Sequence, residues 1–539
     1  MRTKEQNEQL AQLLFPEVKD CPEDVLSRYP ERGTKGMVLR FAPSPTGFMH
    51  VGNVYTGLVC TKLANQTEGV SILRIEDTDK EREIKNGITQ IVTGLKGFGV
   101  EFDEGMVSET EEKGEYGPYL QSKRLDIYKV FAKDLVSKGY AYPCFMKEEE
   151  LEEMRKKQEE LKVAIGSYGK WAKWRDAEIA DIKKELEKGE GFVIRLYSTG
   201  DPEKSFNFKD FIKGGVTLRE NNMDAVLLKS DGYPTYHLAH PIDDKLMRIT
   251  HVIRGEEWFS SLPLHIELFN KLGFDLLPYA HVSPLMKLED GKKRKLSKRK
   301  DPEAAVSYYI ERGYPKKGIL EYLLNIANSN FYDWRIQNPD KSLDEFELKF
   351  EKFNSSGALF DIVKLDNICK NYIATLSAEE VYNNALQWAG DFDKEIAKLL
   401  EENKKYCIAI FDIERTGDKI RKDIVKFEDV RNQMTIFFDE LLSKEDVSDI
   451  AERVSEEDQK AILTKYLEIF EIGDSPDQWF EKIRNLSKDL DFEKVGEVAM
   501  VLRVAITHRT QTPDLYQVIK VLGEGKVKER IKSYLDLMI

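Results

Sequence analysis

Apolar positions in the first part of the chain alternate between short continuous runs and helical spacing. Residues 37–41 form an apolar run that leads into a turn cluster at 42–47, which no helix could cross. Helical spacing resumes at about Gly52, and a second apolar run at 70–75 follows Gly69. Strand, turn, helix and strand in this order predict one half of an open, parallel α/β sheet of the nucleotide-binding type.

An interruption separates this half-sheet from a second one. Residues 146–189 are dense in Glu and Lys and predict exposed helices, so we interpret 117–229 as an insertion. The sheet is expected to return with the apolar runs 224–228 and 249–254. Beyond about residue 300 the spacing is helical to the end, and Ser377 begins a predicted capping box.

These changes of pattern divide the chain into segments. We predict an N-terminal extension at 1–35, the first half of the sheet at 36–116, the insertion at 117–229, the second half of the sheet at 230–285, a segment that opens with a basic loop at 286–375, and helical domains at 376–539.

Composition narrows the class of protein. The 539 residues contain no apolar run long enough to span a membrane and no N-terminal signal sequence, and the five cysteines form neither a CxxC motif nor a Cys/His cluster. A net charge of −14 argues against indiscriminate nucleic-acid binding. Residues 287–300 are a local exception, because eight of these fourteen residues are Lys or Arg. We therefore expect a reduced, cytoplasmic protein with one basic surface.

The first chemistry-bearing segment is Arg40 to Asn53. A strand there leads into a turn and a helix N-terminus, where free backbone N–H groups and the helix dipole favour phosphate. His50 can donate to a phosphate oxygen, and Gly52 lets a nucleotide approach the backbone. An ordinary turn is the alternative for any short part of it. The whole string resembles the HIGH signature of class I aminoacyl-tRNA synthetases, in the form found in glutamyl-tRNA synthetases, where Asn53 replaces the usual histidine.

The second segment is Arg294–Arg299, which resembles the KMSKS loop of the same class. A mobile loop with several ammonium groups suits the phosphates of ATP and the charge that builds on departing pyrophosphate. Asp290 and Gly291 supply a turn just before it. A basic run alone is more often a solvated surface. Its position about 245 residues after the first segment favours the phosphate-binding interpretation.

Further strings, at 73–79, 231–239 and 253–258, match glutamyl-tRNA synthetases. In physical terms they supply what an acidic amino acid needs. The guanidiniums of Arg40 and Arg254 could pair with carboxylates, and Glu76 could receive the α-ammonium. Surface ion pairs are the alternative for isolated residues of these types.

The resemblance implies roles for individual residues. To glutamate it assigns Arg40, Ala42, Ser44, Glu76, Tyr236, Arg254 and, with its role open, His240, where several relatives have Asn. To ATP it assigns His50, Gly52, Asn53, Glu257, Trp258, Lys295, Ser297, Lys298 and Arg299, with His50, Lys295 and Lys298 as the catalytic residues. Some relatives have a Cys-rich zinc site in the insertion, but this insertion has only Cys144, so no zinc and no other protein-bound metal is expected.

The resemblance extends over residues 36–539 and is of the bacterial type, because 502–507 and the residues after them are similar to the last helical domain of that group. It implies a Rossmann-type parallel sheet, an inserted domain that holds the tRNA acceptor end, a segment at 286–375 that contacts the tRNA stem, and an all-helical region that reads the anticodon.

The implied reaction activates L-glutamate with ATP and Mg²⁺ and transfers it to tRNA(Glu), with activation dependent on bound tRNA. The resemblance leaves open whether tRNA(Gln) is a second acceptor. A monomer is expected. One alternative is a glutaminyl-tRNA synthetase, which should end in β-barrels. The other is a non-catalytic tRNA-binding relative, which should lack His50, Gly52 or Lys298.

Overall fold

The computed structural model describes residues 2–297, 299–417, 420–442, 450 and 453–538. The chain divides into two compact units. The first comprises Met1–Tyr308 and Leu320–Asp361, and the second comprises Tyr309–Ile319 and Ile362–Ile539. No helix in the described ranges has both the length and the apolar character needed to cross a membrane.

The N-terminal extension is helical, with α1 at Lys4–Leu14 and α2 at Pro22–Ser27. Thr3 begins α1 with a capping box, because its hydroxyl accepts the Gln6 N–H and its own N–H is bonded by the Gln6 side chain. Leu10 and Leu14 are buried on one face of α1. The extension is therefore part of the folded first unit.

The first half of the parallel α/β sheet follows. Its elements are β1 (Val38–Phe41), α3 (Val51–Gln66), β2 (Val70–Leu73), α4 (Gly87–Gly97), β3 (Glu104–Met106) and β4 (Glu112–Lys113). Strands β1, β2 and β3 are parallel, β4 is antiparallel to β3, and Val38 pairs with Val70. A β-carbon at Gly69 would lie 2.0 Å from the Met37 carbonyl oxygen, so only glycine allows the two strands to begin this close together. The predicted strand–turn–helix–strand unit is confirmed.

The inserted domain contains α5 (Leu125–Ser137), β5 (Ala141–Cys144), α6 (Glu148–Glu160), α7 (Ile179–Glu187), β6 (Val193–Leu196), β7 (Ser205–Asp210), β8 (Gly214–Arg219) and β9 (Val226–Leu228). Strands β5, β6 and β9 form an antiparallel sheet, and β7 and β8 form a hairpin. The prediction that the parallel α/β sheet returns at 224–228 is wrong, since β9 pairs with β6. Three apolar residues in a row do not specify which sheet they join. Helix α1 packs on α5, which ties the extension to this domain.

The rest of the first unit begins with α8 (Tyr236–Leu246), β10 (Val252–Gly255), α9 (Leu262–Leu272), β11 (Tyr279–Val282), β12 (Leu285–Glu289) and β13 (Lys292–Lys295). It continues with α10 (Val306–Arg312), α11 (Lys316–Ala327), α12 (Phe331–Gln337) and β14 (Ala358–Leu359), and the division between the units falls within α10 and α11. Strands β10 and β11 are parallel, and the Thr250 N–H donates to the Val38 carbonyl oxygen at 3.0 Å, so β10 lies beside β1. The connection changes direction between β1 and β10, and ligands of open α/β sheets bind at such a point.

The basic segment is more ordered than expected. Strands β12 and β13 form an antiparallel hairpin, so residues 292–295 are a strand and not a flexible loop. Asp290 and Gly291 both have positive φ values, 50° and 75°, which form the tight turn predicted there. The prediction of a mobile loop is therefore wrong for its first residues.

The second unit is helical throughout its described residues. Its helices are α13 (Ile362–Thr375), α14 (Ala378–Phe392), α15 (Lys394–Glu402), α16 (Lys404–Asp412), α17 (Val430–Met434), α18 (Glu456–Ile469), α19 (Pro476–Asp489), α20 (Val495–Thr507), α21 (Leu515–Leu522) and α22 (Glu524–Asp536). Ser377 begins α14 with the predicted capping box, in which its hydroxyl accepts the Glu380 N–H. Val381 and Ala385 of that helix are fully buried in a core shared by the helices.

Candidate active site

A cavity of about 440 Å³ lies at the carboxyl ends of β1 and β10. Most of the residues expected to bind glutamate or ATP line it: Arg40, Ala42, Ser44, His50, Gly52, Asn53, Glu76, Tyr236, Arg254, Glu257, Trp258 and Lys295. Ser297, Arg299 and His240 are not on its wall, and Lys298 lies outside the described residues. The two halves of the sheet and the basic hairpin thus supply one continuous site.

His50 forms the N-terminal cap of α3. Its Nδ1 accepts the Gly52 N–H at 2.8 Å, so the neutral ring carries its proton on Nε2, where it can donate to a ligand. A β-carbon at residue 52 would lie 3.0 Å from the same nitrogen, which explains why glycine stands there. A helix N-terminus with an imidazole donor beside it is suited to phosphate.

The opposite wall is built around Trp258 and Tyr236. Their ring centroids are 4.0 Å apart. The Glu257 carboxylate folds back over Gly255, where a β-carbon would lie 2.3 Å from it. A side chain at residue 255 would therefore displace this carboxylate from its present position.

Arg254 is held entirely by neutral groups. It donates from Nε to His281 Nε2 at 3.0 Å, from Nη1 to His265 Nδ1 at 3.0 Å and to the Tyr236 hydroxyl at 3.3 Å, and from Nη2 to the Trp258 carbonyl at 3.2 Å. Within the described part of the chain, no carboxylate forms an ion pair with it. Arg254 is almost fully buried. Because no carboxylate of the described residues neutralises it, its positive charge is available to a bound anion.

Arg40 differs from Arg254, because its charge is already paired. Its Nε donates to both carboxylate oxygens of Asp244 at 3.0 and 3.1 Å, and Arg74 donates to the same carboxylate at 2.7 Å. Burial alone would raise the pKa of Asp244, but the two guanidiniums outweigh it and hold that pKa well below its usual range. The two arginines that the sequence predicts to pair with ligand carboxylates therefore differ, because the charge of Arg40 is already compensated by Asp244 and that of Arg254 is not.

Glu76 continues this network toward the cavity. It accepts from Arg74 at 3.1 Å, and burial raises its pKa against the opposing effect of Arg74 and Arg40. A carboxylate in this position can receive an ammonium group of a ligand.

A second buried cluster supports the first. Asp243 accepts from Arg124 at 2.7 Å, from Gln121 at 2.8 Å and from Tyr128 at 2.8 Å. The prediction from sequence missed Asp243 and Asp244, and with them Arg124, Gln121 and Tyr128. Two adjacent carboxylates within a helix whose other residues are largely buried were a usable signal, since buried charges must be paired.

His240 lies behind the cavity wall and is completely buried. Its Nδ1 is 2.8 Å from Asp244, its Nε2 is 2.8 Å from the Tyr279 hydroxyl, and its ring stacks on Tyr236. Burial lowers its pKa to about 3, although Asp244 opposes this shift. The His240 ring is therefore neutral near pH 7, and its structural role, left open by the sequence, is to support Tyr236 and Asp244.

The buried histidines predict a pH-dependent stability. Burial, and then Arg254, lower the pKa of His237 to about 4, and that of His240 is about 3, whereas an unfolded histidine titrates near pH 6.5. Below pH 6.5 these histidines bind protons in the unfolded chain but not in the folded chain. The contribution of these neutral histidines to the free energy of unfolding should thus be fully present above about pH 6.5. As the pH drops toward 4, the free energy of unfolding should fall by about 1.4 kcal/mol per pH unit for each such histidine.

Denaturant unfolding at pH 7.5, 6.0 and 5.0 measures this slope. The variant His240→Asn removes one of the groups and should reduce the slope by about 1.4 kcal/mol per pH unit below pH 6, whatever it does to the stability at pH 7.5. An unchanged slope would show that His240 is protonated in the folded chain.

The basic hairpin contributes Lys295 to the cavity. Arg294 is committed elsewhere, since it bonds both oxygens of Asp301 at 2.6 and 2.8 Å. Asp301 also accepts the Ser297 N–H at 2.9 Å, which fixes the turn after β13. The two neighbouring cations thus have different functions, with Arg294 holding the hairpin and Lys295 facing the site.

The chain is similar to known proteins along almost its whole length. Residues 36–366 match the family model described as tRNA synthetases class I (E and Q), catalytic domain, and residues 380–535 match an anticodon binding domain. A glutamate–tRNA ligase of Clostridium perfringens is 45% identical over 98% of this chain and 100% of its own length. Another, of Acetivibrio thermocellus, is 46% identical over 98% and 99%. Alignments of this coverage include much of the extension at 1–35, which the sequence analysis left outside the resemblance.

A solved structure is also similar. The crystal structure of a glutamate tRNA ligase from Elizabethkingia meningosepticum, in complex with its amino acid, aligns with a TM-score of 0.79, at 27% identity, over 94% of this chain and 100% of that one. The family model covers more than half of the residues and the relatives span almost all of them. The chain belongs to the class I tRNA synthetases (E and Q), among the glutamate–tRNA ligases.

Proposed function

We propose that this chain joins L-glutamate to the 3′-terminal ribose of tRNA(Glu) at the expense of ATP. One observation carries the proposal. A single cavity has a carboxylate-binding side, with Arg254 and Tyr236, and a phosphate-binding side, with His50, Gly52 and Lys295. The relatives named above carry the same activity in their names.

Glutamate enters with its side-chain carboxylate toward Arg254, because that guanidinium has no carboxylate partner of its own among the described residues. Glu76 receives the α-ammonium group. Ala42 and Ser44 line the remaining wall, and Arg40, neutralised by Asp244, orients polar atoms of the ligand without adding net charge. Glutamine, which lacks the negative charge, would leave Arg254 buried and unpaired.

ATP lies with its phosphates at the N-terminus of α3. His50 donates from Nε2, Gly52 and Asn53 line the wall at the helix end, and Lys295 faces the β- and γ-phosphates. Lys298, Ser297 and Arg299 join them from the segment after β13, as the resemblance implies. Trp258 and Glu257 flank the adenosine.

The reaction then has two steps. A carboxylate oxygen of glutamate attacks the α-phosphorus of ATP, the bond to the bridging oxygen breaks, and pyrophosphate leaves with that electron pair. A ribose hydroxyl of tRNA attacks the adenylate carbonyl. AMP leaves, and the attacking hydroxyl loses its proton. No protein nucleophile is needed, so positioning and charge stabilisation supply the catalysis.

Mg²⁺ is proposed to accompany ATP and to neutralise phosphate charge there. The described residues contain no group of three His, Cys, Asp or Glu side chains arranged for a metal, which favours an ion held mainly by phosphate oxygens.

The tRNA spans the domains. The inserted domain holds the acceptor end, the segment 286–375 contacts the stem, and the helical region read as an anticodon binding domain contacts the anticodon. We infer that the protein acts as a monomer in the cytoplasm, where ATP, glutamate and tRNA occur together. The assay below decides whether tRNA(Gln) is charged as well. A glutaminyl enzyme is disfavoured, because the described residues of the second unit form helices and no β-barrel.

The test is glutamate-dependent ATP–pyrophosphate exchange with the purified protein, with and without tRNA. We expect exchange with glutamate only when tRNA(Glu) is present, and no exchange with glutamine. Exchange without tRNA would keep the ligase but contradict tRNA-dependent activation. Tight tRNA binding with no exchange for any amino acid would favour the non-catalytic relative. Running purified tRNA(Glu) and tRNA(Gln) side by side settles the tRNA specificity.

A further inference from the structure

The hairpin of the inserted domain reaches the catalytic sheet. Its turn, between β7 and β8, places the Phe211 N–H against the Tyr279 carbonyl of β11 at 2.9 Å. At the end of β7 stands Asp210, which is 1% exposed. A carboxylate carried this deep by an inserted domain needs partners there, because an unpaired buried charge is costly.

Both oxygens of Asp210 lie 3.3 Å from the His281 backbone N–H, and beyond that shared donor their partners differ. Oδ1 accepts the N–H groups of Ile212 and Lys213 at 2.9 and 2.8 Å and so closes the hairpin turn. Oδ2 lies 2.6 Å from His281 Nδ1. One side chain thus joins the turn of the inserted domain to a residue of the catalytic sheet.

The contact with Asp210 determines where His281 carries its proton. A carboxylate can only accept, so Nδ1 must bear the hydrogen. In the neutral ring Nε2 is then an acceptor, and this is the atom that receives the Arg254 Nε–H at 3.0 Å. Burial lowers the pKa of His281 despite the opposing carboxylate, which keeps the ring neutral. The ring is also fixed between Tyr279, at 5.7 Å and 7°, and Phe259, at 5.0 Å.

We propose that Asp210 is a positioning residue for substrate recognition: it sets the tautomer of His281, and His281 in turn aims the guanidinium of Arg254 at the carboxylate of the amino acid. This inference rests on the proposed function for the identity of the ligand. It adds that the inserted domain contributes directly to amino-acid specificity, through a chain of hydrogen bonds that ends at Arg254.

The variant Asp210→Asn tests this chain of hydrogen bonds. The amide has the same shape as the carboxylate, but one of its two ends is a donor instead of an acceptor. If its NH₂ faces His281, the ring must accept at Nδ1 and present Nε2–H to Arg254, donor against donor. If its NH₂ faces the turn, it opposes two N–H groups. We expect the KM for glutamate in tRNA-dependent exchange to rise about 10–100-fold, as for a lost hydrogen bond to a charged group, with the KM for ATP within about twofold.

Asp201→Asn is the matched control. Asp201 is also in the inserted domain, and its exposed carboxylate accepts the Glu203 N–H at 3.0 Å and lies 3.8 Å from the exposed ammonium of Lys204. Both KM values should be unchanged in this variant. Equal rises in both KM values for Asp210→Asn, or no rise in either, would overturn the proposal.

A second background separates positioning from simple structural support. In His281→Gln the side-chain oxygen can accept from Arg254 without help from Asp210, so this variant should keep a KM for glutamate within about threefold of the wild type, and Asp210→Asn should add little to it. His281→Phe, which keeps the ring but removes the acceptor, should raise that KM about 10–100-fold. If Asp210→Asn does not fold, the comparison of His281→Gln with His281→Phe decides, and equal KM values for these two would contradict the chain.

Histidine ring ¹⁵N–¹H spectra give a readout independent of activity. The wild-type His281, assigned by its loss in His281→Gln, should show the Nδ1–H tautomer, and the Nε2–H tautomer would overturn the proposal. If the wild type shows no glutamate-dependent exchange, the proposed function fails while these spectra still test the hydrogen-bond chain.

Discussion

Replacing Arg254 by glutamine is expected to raise the KM for glutamate by about two to three orders of magnitude, with little change in the KM for ATP. Arg254 is buried in the cavity wall and bonds to two imidazoles, a phenol and a carbonyl, none of which neutralises it. In the proposed binding mode, the substrate carboxylate neutralises it. The measurement is tRNA-dependent ATP–pyrophosphate exchange at varied glutamate and at varied ATP.

Two comparisons sharpen that result. Arg254→Lys keeps the charge but loses the fork of donors, so it should recover only part of the affinity. The ratio of kcat/KM for glutamate over glutamine should fall in Arg254→Gln, because the buried charge that rejects glutamine is gone. Equal effects on the KM values for glutamate and ATP would remove Arg254 from the side-chain pocket.

Local signals were enough to predict the parts of the fold that are contiguous in the chain. The turn at 42–47 and the glycine before β2 each fix backbone geometry through their own residue type, and α3 begins within a residue of the predicted position. The helix at Ala378–Phe392 was likewise predicted by its capping residues. Such features depend on neighbours three or four residues away, which a single sequence displays.

Partners distant in the chain could not be predicted in the same way. Arg40 and Asp244 are 204 residues apart, and Asp210 and His281 are 71 apart. An arginine in an apolar strand signals that some carboxylate must be near, but the sequence does not say which one. For the same reason β9 was assigned to the wrong sheet. The lining residues of the cavity were found because they lie in strings that resemble a family, whereas the buried residues that hold them lay largely outside those strings.

The second large effect is expected in the buried charge network, from Asp244→Asn. The Asp244 carboxylate is fully buried and compensates Arg40 and Arg74 at once, with His240 as a third partner. An asparagine of the same shape would leave Arg40 without any carboxylate partner and would direct an NH₂ group at other donors. Removing one partner of a buried ion pair costs about 3–5 kcal/mol, so the free energy of unfolding should fall by that amount.

Thermal and denaturant unfolding at pH 7.5 measure this change, and Asp275→Asn provides the control. Asp275 is exposed in the loop after α9, so its neutralisation should alter stability by less than about 0.5 kcal/mol. Because Arg74 keeps Glu76 at 3.1 Å and Arg40 forms no second ion pair among the residues that the structure describes, most of the loss must come from Arg40. Adding Arg40→Met to Asp244→Asn should therefore recover part of the stability, since it removes the uncompensated charge. If the double variant is less stable than Asp244→Asn by the full cost of a second independent change, the two side chains are not coupled and the charge-compensation account is wrong.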